Sequence, residues 1–419
     1  MFGVYDIRGV WGRDLDFFSV AKLAKTFSTY LDDKEVGIGR DIRISSDPIF
    51  YILCNYMEKT ILDYGIVSTP ITHFGSVIYD VDSIMITASH NPPEYNGFKP
   101  IHKKAEDFQT EEILKLRDIF EGIRVLNKVT PDIDIRWEVA KSYFDHIYSA
   151  ADFSCKLEIG FDAANGSGFV YYDYLKKIFD VHAINITPDG RFPSHSPDPS
   201  KEENLKDLLN LCRSKGVKYG IAVDGDCDRL GLVFNGRWMR SDEIIYYISK
   251  YCLKKGDKVV LEVMLPYILD ELLEDLGIKV IRVPTGHVNV KRAARDNNAE
   301  FFGEYSGHFG FKEFYYIDDA LYTFIKIVNL LESGIDLDYP NIFQTRFDVD
   351  KSRLNLEEFI SKFDPLEVLT VDGYDMRLEN GRVLVRESNT EPKYRIKIEA
   401  LDKKSFEDLV SKVKFLIKK

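Results

Sequence analysis

At 419 residues the chain has room for several domains, and a composition of 45% hydrophobic and 30% charged residues, with 24 tyrosines and 28 phenylalanines, is that of a globular protein with sizeable cores. A formal net charge of −12 argues against nucleic acid as a partner, which needs a basic face, while a small anionic substrate needs only a few arginines in one cleft. Five cysteines without a Cys-x-x-Cys pair, a start without a basic-then-apolar signal, and no apolar run near the roughly 18–20 residues that cross a bilayer predict a reduced, soluble, cytoplasmic protein with no membrane partner.

In chain order, the first unit opens with Tyr5-Asp6-Ile7-Arg8-Gly9. Val20, Leu23, Ala24 and Phe27 at helical spacing predict an amphipathic helix over 19–30. A strand over 35–39 ends in Arg40-Asp41-Ile42-Arg43, and a second helix is predicted over 48–64. The apolar run over 81–86 reads as a strand that stops in Thr87-Ala88-Ser89-His90-Asn91-Pro92-Pro93. The two prolines fix φ and block a helix, so Ser89 is presented on a stiff loop at a strand exit, where α/β proteins bind ligands. Taken alone, such a serine reads equally well as a turn residue. Lys99 lies just beyond, and the mixed charges over 105–121 predict a solvent-facing helix.

The second unit repeats the plan, with a helix over 137–150, a strand over 156–162 and a glycine-bearing turn at 163–168 that leads into a helix. Prolines 188, 193, 197 and 199 make 189–199 an extended loop. A helix over 202–214 precedes a strand over 219–223, which ends in Asp224-Gly225-Asp226-Cys227-Asp228-Arg229 before a second strand over 230–234. The third unit has strands over 258–263 and 279–283, a helix over 267–276, and the loop Gly303-Glu304-Tyr305-Ser306-Gly307-His308. From about residue 339 strands over 345–349, 382–386 and 394–400 mix with helices over 356–363 and 405–417, which reads as a smaller α+β domain carrying Arg386-Glu387-Ser388-Asn389-Thr390-Glu391-Pro392. The expected domains are therefore 1–128, 129–236, 237–338 and 339–419.

Four of these loops carry legible chemistry. Asp224, Asp226 and Asp228 alternate, and alternate residues of extended backbone share a face, so the three carboxylates need a cation. Hard oxygen ligands suit Mg²⁺ or Ca²⁺. A calcium-hand loop is excluded, because it needs glycine and glutamate where Arg229 and Asn235 stand. A solvated acidic turn is the bland alternative. Arg386, Ser388, Asn389 and Thr390 form a donor set suited to phosphate, though a polar turn between strands reads equally well. Glu304 and Ser306 on alternate positions can bracket vicinal sugar hydroxyls, although for this loop alone a structural turn is the default reading.

Together Tyr5–Gly9, Thr87–Pro93 with Lys99, Asp224–Arg229, Gly303–His308 and Arg386–Pro392 resemble, in order and from end to end, the α-D-phosphohexomutase superfamily that includes the phosphoglucomutases and phosphomannomutases. The resemblance implies three similar mixed α/β domains plus a smaller C-terminal α+β domain around a central cleft. It implies that Ser89 is the phosphoserine, that Asp224, Asp226 and Asp228 hold Mg²⁺ with a phosphoserine oxygen, and that hexose 1,6-bisphosphate is the intermediate and activator. By the same resemblance, Arg8, His90, Lys99, Arg229 and His308 line the reacting centre, with Lys99 and Arg8 as candidate base and acid. Tyr5, Glu304, Ser306, His308, Thr285 and His287 would contact the sugar phosphate, and Arg386, Ser388, Asn389, Thr390 and Arg395 its distal phosphate. A lysine base needs a lowered pKa, which cationic neighbours would supply.

Two departures stand out. Cys227 replaces the family's usual glycine, at a cost on the order of 1–2 kcal/mol if φ is positive there. Met264 stands where many bacterial phosphomannomutase relatives carry lysine, which leaves the sugar open. The expected reaction interconverts hexose 1-phosphate and 6-phosphate, of mannose or glucose; a glucosamine or pentose mutase and a non-catalytic sugar-phosphate binder are the alternatives. The binder should have lost the serine, a metal aspartate or the phosphate arginine, and this chain keeps all of them. Monomer and dimer are both compatible with the sequence.

Overall fold

In a computed structural model that describes residues 1–153, 156–388 and 392–417, the chain builds four sheets in succession. In the first, Ser83–Ile86, Glu35–Arg40, Thr60–Ile66 and Ile133–Ile135 are parallel neighbours, and Tyr95–His102 runs antiparallel between Ser83–Ile86 and Ile7–Val10. Helices cover this sheet, so its inner strands are apolar nearly throughout. The helix Phe17–Tyr30 starts at Asp16, whose side chain and that of Ser19 cap each other's backbone, and it buries Val20, Leu23, Ala24 and Phe27 as the spacing predicts.

Three expectations are corrected here. The helix expected over 48–64 is a helix Ser46–Tyr56 followed by the strand Thr60–Ile66, because Met57 turns extended and the β-branched, aromatic run from Thr60 pairs beside Glu35–Arg40. The helix expected from 105 begins at Thr110, behind a cap formed by Gln109 and Glu112. A boundary at 128 cuts the first sheet, since Ile133–Ile135 pairs with Thr60–Ile66; likewise Arg237–Met239 belongs to the second sheet.

The second sheet orders Arg237–Met239, Leu230–Phe234, Tyr219–Val223, Leu157–Asp162 and Phe179–Ile184. The third orders Lys279–Val283, Lys258–Glu262, Phe301–Gly303 and Phe309–Phe311. The fourth is wholly antiparallel, from Phe343–Asp350 through Lys393–Ala400, Gly381–Glu387 and Tyr374–Leu378 to Glu367–Leu369, and the helix Lys403–Ile417 packs on it. Three mixed α/β layers and a smaller α+β domain are thus present. Among the described residues, no helix is long and apolar enough to cross a membrane.

One apolar cluster runs unbroken from Tyr64 and Phe74 of the first unit through Phe161 and Tyr171 of the second to Phe301 and Phe324 of the third. The fourth unit has its own cluster around Met376, Val383, Ile396 and Val413. Only a small group, Val263, Met264 and Leu384 with Tyr305 against them, joins it to the third among the described residues.

Candidate active site

The Ser89 loop is fixed by side chains that hold its backbone. Arg43 donates to the carbonyls of Ser89 (2.6 Å), Asn91 (2.8 Å), Pro92 (2.7 Å) and Tyr95 (3.0 Å). Thr87 Oγ1 donates to Asp41 (2.7 Å) and accepts from the Ser89 amide (2.9 Å). Arg8, paired with Asp6 at 2.7 Å, donates to the Ala88 carbonyl and to Asn91 Oδ1. Ser89 itself has φ +51, a left-handed conformation that a non-glycine residue holds only where its surroundings impose it. The second unit meets this loop backbone to backbone: a Cβ on Gly225 would lie 2.6 Å from the Ser89 carbonyl oxygen.

That approach brings Ser89 Oγ to 2.9 Å from Asp224 Oδ2, to which it donates. Asp224, Asp226 and Asp228 are buried, and each offers an oxygen within 4.8 Å of the others. Burial and the two neighbouring carboxylates push the Asp224 pKa well up, the signature of charges that repel without a cation. Asp226 Oδ1 and Asp228 Oδ1 are buried without a hydrogen-bond partner. Converging hard oxygens with unmet acceptor capacity fit a divalent cation. Cys227 has φ +67, so the strain expected of it is present; its side chain is wholly buried, and burial together with the three carboxylates raises the thiol pKa far above its usual value. It packs into the apolar core.

Lys99 departs from expectation. Its ammonium donates to Asp226 and Asp228 at 2.7 Å each, and these carboxylates more than offset burial, so its pKa is raised, not lowered. Thr69 Oγ1 also donates to Asp226 at 2.6 Å. His90 Nδ1 lies 3.2 Å from Ser89 Oγ, and the nearby Arg229 guanidinium and burial push its pKa well down.

The third unit brings a histidine to the acidic triad. His308 Nδ1 is 3.0 Å from Asp318 and 3.7 Å from Asp228, and Arg229 Nε donates to its Nε2 at 3.0 Å. Burial works against the charged ring, yet Asp228 and Asp318 outweigh it and raise its pKa. His287 stacks beside it at 5.4 Å and is pushed down to about 4 by burial. Ser306 Oγ donates to Glu304 Oε2 at 2.9 Å, leaving Oε1 buried without a partner. Glu262 anchors this loop by accepting from the Tyr305 amide at 3.0 Å.

In the fourth unit Arg386 and Arg395 are cross-strand partners, so their side chains leave the same face of the sheet. Arg386 Nε lies 2.9 Å from Asp372, and the Ser388 amide donates to the Lys393 carbonyl. Asn389 and Thr390 lie outside the described residues. Tyr5, from the first unit, accepts at its hydroxyl from Asn289 at 2.6 Å, within the field of Glu304, Asp372 and Arg386. Met264 is buried at the same junction, and its carbonyl accepts from Lys397.

Asp41, Arg43, Thr69, Asp198, Glu262 and Asp318 were not singled out in the sequence. Asp41 and Arg43 stood at a strand exit, the one signal that could have marked them; Asp198, which pairs with Arg229 at 3.4 Å, lay in a loop read only as extended.

The family's sequence models describe phosphoglucomutase/phosphomannomutase alpha/beta/alpha domains I, II and III over residues 1–125, 141–237 and 240–339, and its C-terminal domain over 346–414. A phosphomannomutase of Methanocaldococcus jannaschii is 32% identical over 440 residues, spanning 100% of this chain and 98% of its own length. A phosphoglucosamine mutase of Methanococcus aeolicus is 32% identical over 419 residues, with 92% of each chain covered. A solved phosphoglucomutase/phosphomannomutase family protein from Burkholderia thailandensis has a TM-score of 0.90 at 27% identity, covering 100% of this chain and 96% of that one.

Proposed function

The chain belongs to the phosphoglucomutase/phosphomannomutase family, and from that premise we propose that it is a phosphohexomutase that moves phosphate between O1 and O6 of mannose or glucose through Ser89. The observation that carries this reading is Ser89 Oγ at 2.9 Å from a carboxylate of a buried acidic triad. Asp224, Asp226 and Asp228 would hold Mg²⁺, which when bound offsets charge on the transferring phosphoryl group. Phosphoryl transfer is mostly a problem of placement and charge, and the rest of the chain is arranged for both.

Starting from phosphoserine, the free hydroxyl of a sugar monophosphate attacks phosphorus, the new O–P bond forms as the Ser89 Oγ–P bond breaks, and the hydroxyl proton passes to His308 Nε2 as Arg229, which donates to that nitrogen in the free site, turns to the phosphoryl oxygens. Asp318 orients that ring, and Lys99 and Arg229 bring positive charge to the phosphoryl oxygens. Glu304 and Ser306 bracket the sugar hydroxyls, while Arg386, Arg395 and Ser388, with Asn389 and Thr390, hold the distal phosphate. A distal clamp that takes either end lets the bisphosphate turn over and return its other phosphate to Ser89. The free cysteines among the described residues and the absence there of a membrane-spanning helix support a cytoplasmic setting.

A phosphoglucosamine mutase reading is kept because relatives of that name match as strongly in identity as the phosphomannomutase does. The test is to prime the protein with hexose 1,6-bisphosphate and Mg²⁺ and supply the 1-phosphates of mannose, glucose, glucosamine and a pentose. The largest kcat/KM is expected for mannose or glucose; a larger value for glucosamine or the pentose changes the substrate, and no product from any of them ends the mutase reading. Ser89→Ala should lose at least about 1,000-fold in kcat, the scale on which removing a nucleophile acts. Full activity in that variant would refute transfer through Ser89.

A further inference from the structure

A string of polar contacts crosses three of the four units. Asn289 Nδ2 donates to the Tyr5 hydroxyl at 2.6 Å and to the Thr285 carbonyl at 3.2 Å, using the two hydrogens of one amide. The Thr285 amide in turn donates to Asp372 Oδ2 at 3.2 Å, and that same oxygen lies 2.9 Å from Arg386 Nε. Tyr5 belongs to the first unit, Thr285 and Asn289 to the third, and Asp372 and Arg386 to the fourth.

The backbone is shaped to let this string form. Gly286 has φ +128, and a Cβ there would lie 2.8 Å from the Tyr5 ring. Gly373 has φ +90, and a Cβ there would lie 2.2 Å from the Val385 carbonyl oxygen and 2.8 Å from the Arg386 Cα. One glycine thus stands next to Thr285 and the other next to Asp372, each at a point where only glycine allows the approach. Apolar contact cannot do the same work, because the shared core stops at the third unit and only a small group of side chains joins the fourth to it among the described residues.

We propose that Asn289 and Asp372 are positioning residues that latch the Arg386 side of the cleft to Tyr5, so that closing the cleft and setting the phosphate-holding guanidinium are one event. Neither residue touches the reacting atoms. Asp372 pairs by charge with Arg386 on its Nε side, and Asn289 ties the turn that carries Thr285 to the first unit. A latch of this kind keeps the bisphosphate enclosed while it turns over, and excludes water from phosphoserine. The proposal rests on the reading of Arg386 as a phosphate clamp.

The test compares Asn289→Ala, Asp372→Ala, their double variant and Arg386→Ala in the primed assay, measuring KM for hexose 1-phosphate and the fraction of turnovers that release free bisphosphate. Each single latch variant should raise KM about tenfold and bisphosphate release at least about threefold, as expected when closure is loosened at a distance from the chemistry. The double variant should be no worse than the more severe single, because both cut one string. Asp372→Asn, which keeps an acceptor for the Thr285 amide, should recover most of the loss in bisphosphate retention. Singles that stay within about twofold of the parent, or effects that multiply in the double variant, would overturn the latch. If Arg386→Ala leaves KM unchanged, the clamp reading falls and the latch with it; if it raises KM while the latch variants do not, only the latch falls.

Discussion

Cys227 shows how one position in the acidic loop weighs strain against packing. Its φ of +67 costs on the order of 1–2 kcal/mol for a side chain bearing a Cβ, while its wholly buried thiol packs into the shared core. Glycine would relieve the strain and lose the packing, so Cys227→Gly should change stability by no more than about 1 kcal/mol in a urea melt. Because the three aspartates already offer the hard oxygen ligands that Mg²⁺ prefers to sulfur, the Mg²⁺ concentration for half-maximal activity should shift by less than about threefold. A tenfold shift would make the sulfur a ligand after all. The same loop marks the limit of sequence reading at this scale. Spacing alone brought the three aspartates together, but not Lys99, whose expected low pKa assumed cationic neighbours where the fold supplies Asp226 and Asp228.

At the scale of elements, strand-exit loops were the legible part, because an apolar run ending in polar, proline- or glycine-rich sequence has few other readings. The connections between them were not. The strand Thr60–Ile66 was hidden by running on from a helix, and Asp41, Arg43 and Asp318 act through backbone and side chains far away in sequence, which no local pattern reports. His102 gives a test of one such tie, between the strand Tyr95–His102 and the helix Thr110–Gly122. Its ring stacks on Phe108 at 4.0 Å and lies 2.8 Å from Glu112 and 3.4 Å from Asp82. Burial disfavours its charge, but those two carboxylates outweigh burial and lift its pKa to about 9. A pKa raised on folding stabilises fully below the unfolded value near 6.5 and is lost as pH rises through the folded value. Since the side chain is 31% exposed, the contribution is discounted to about 1 kcal/mol. Wild type should therefore exceed His102→Gln in urea midpoint at pH 6, and the gap should close by about pH 9.5. A gap that is constant over that range would show that the ring contributes packing alone.

For the whole molecule, the division of the core decides which part can move. The first three units share one apolar cluster, whereas the fourth is attached largely through buried charge. Arg382 is the centre of that attachment: it pairs with Asp375 (2.5 Å) and Glu399 (2.9 Å) in its own unit and donates to the carbonyls of Val263 (2.6 Å) and Leu265 (2.8 Å) in the third. Glu399 also accepts from the Tyr267 amide at 2.8 Å, and Arg377 reaches across to Asp270. Directional bonds of this kind fix an orientation and can be exchanged for others, while a continuous apolar core opens only by exposing itself to water. Replacing Arg382 by methionine would leave Asp375 without its cation and Glu399 with Lys397 alone, at about 3–5 kcal/mol for a buried network that loses one partner. The loss should fall on one unit. In hydrogen exchange, Gly381–Glu387 and Lys393–Ala400 should lose protection in Arg382→Met, while Glu35–Arg40 and Leu157–Asp162 keep theirs. If all four strands lose protection together, the molecule unfolds as a single cooperative body, and the fourth unit is not the separable one that its core suggests.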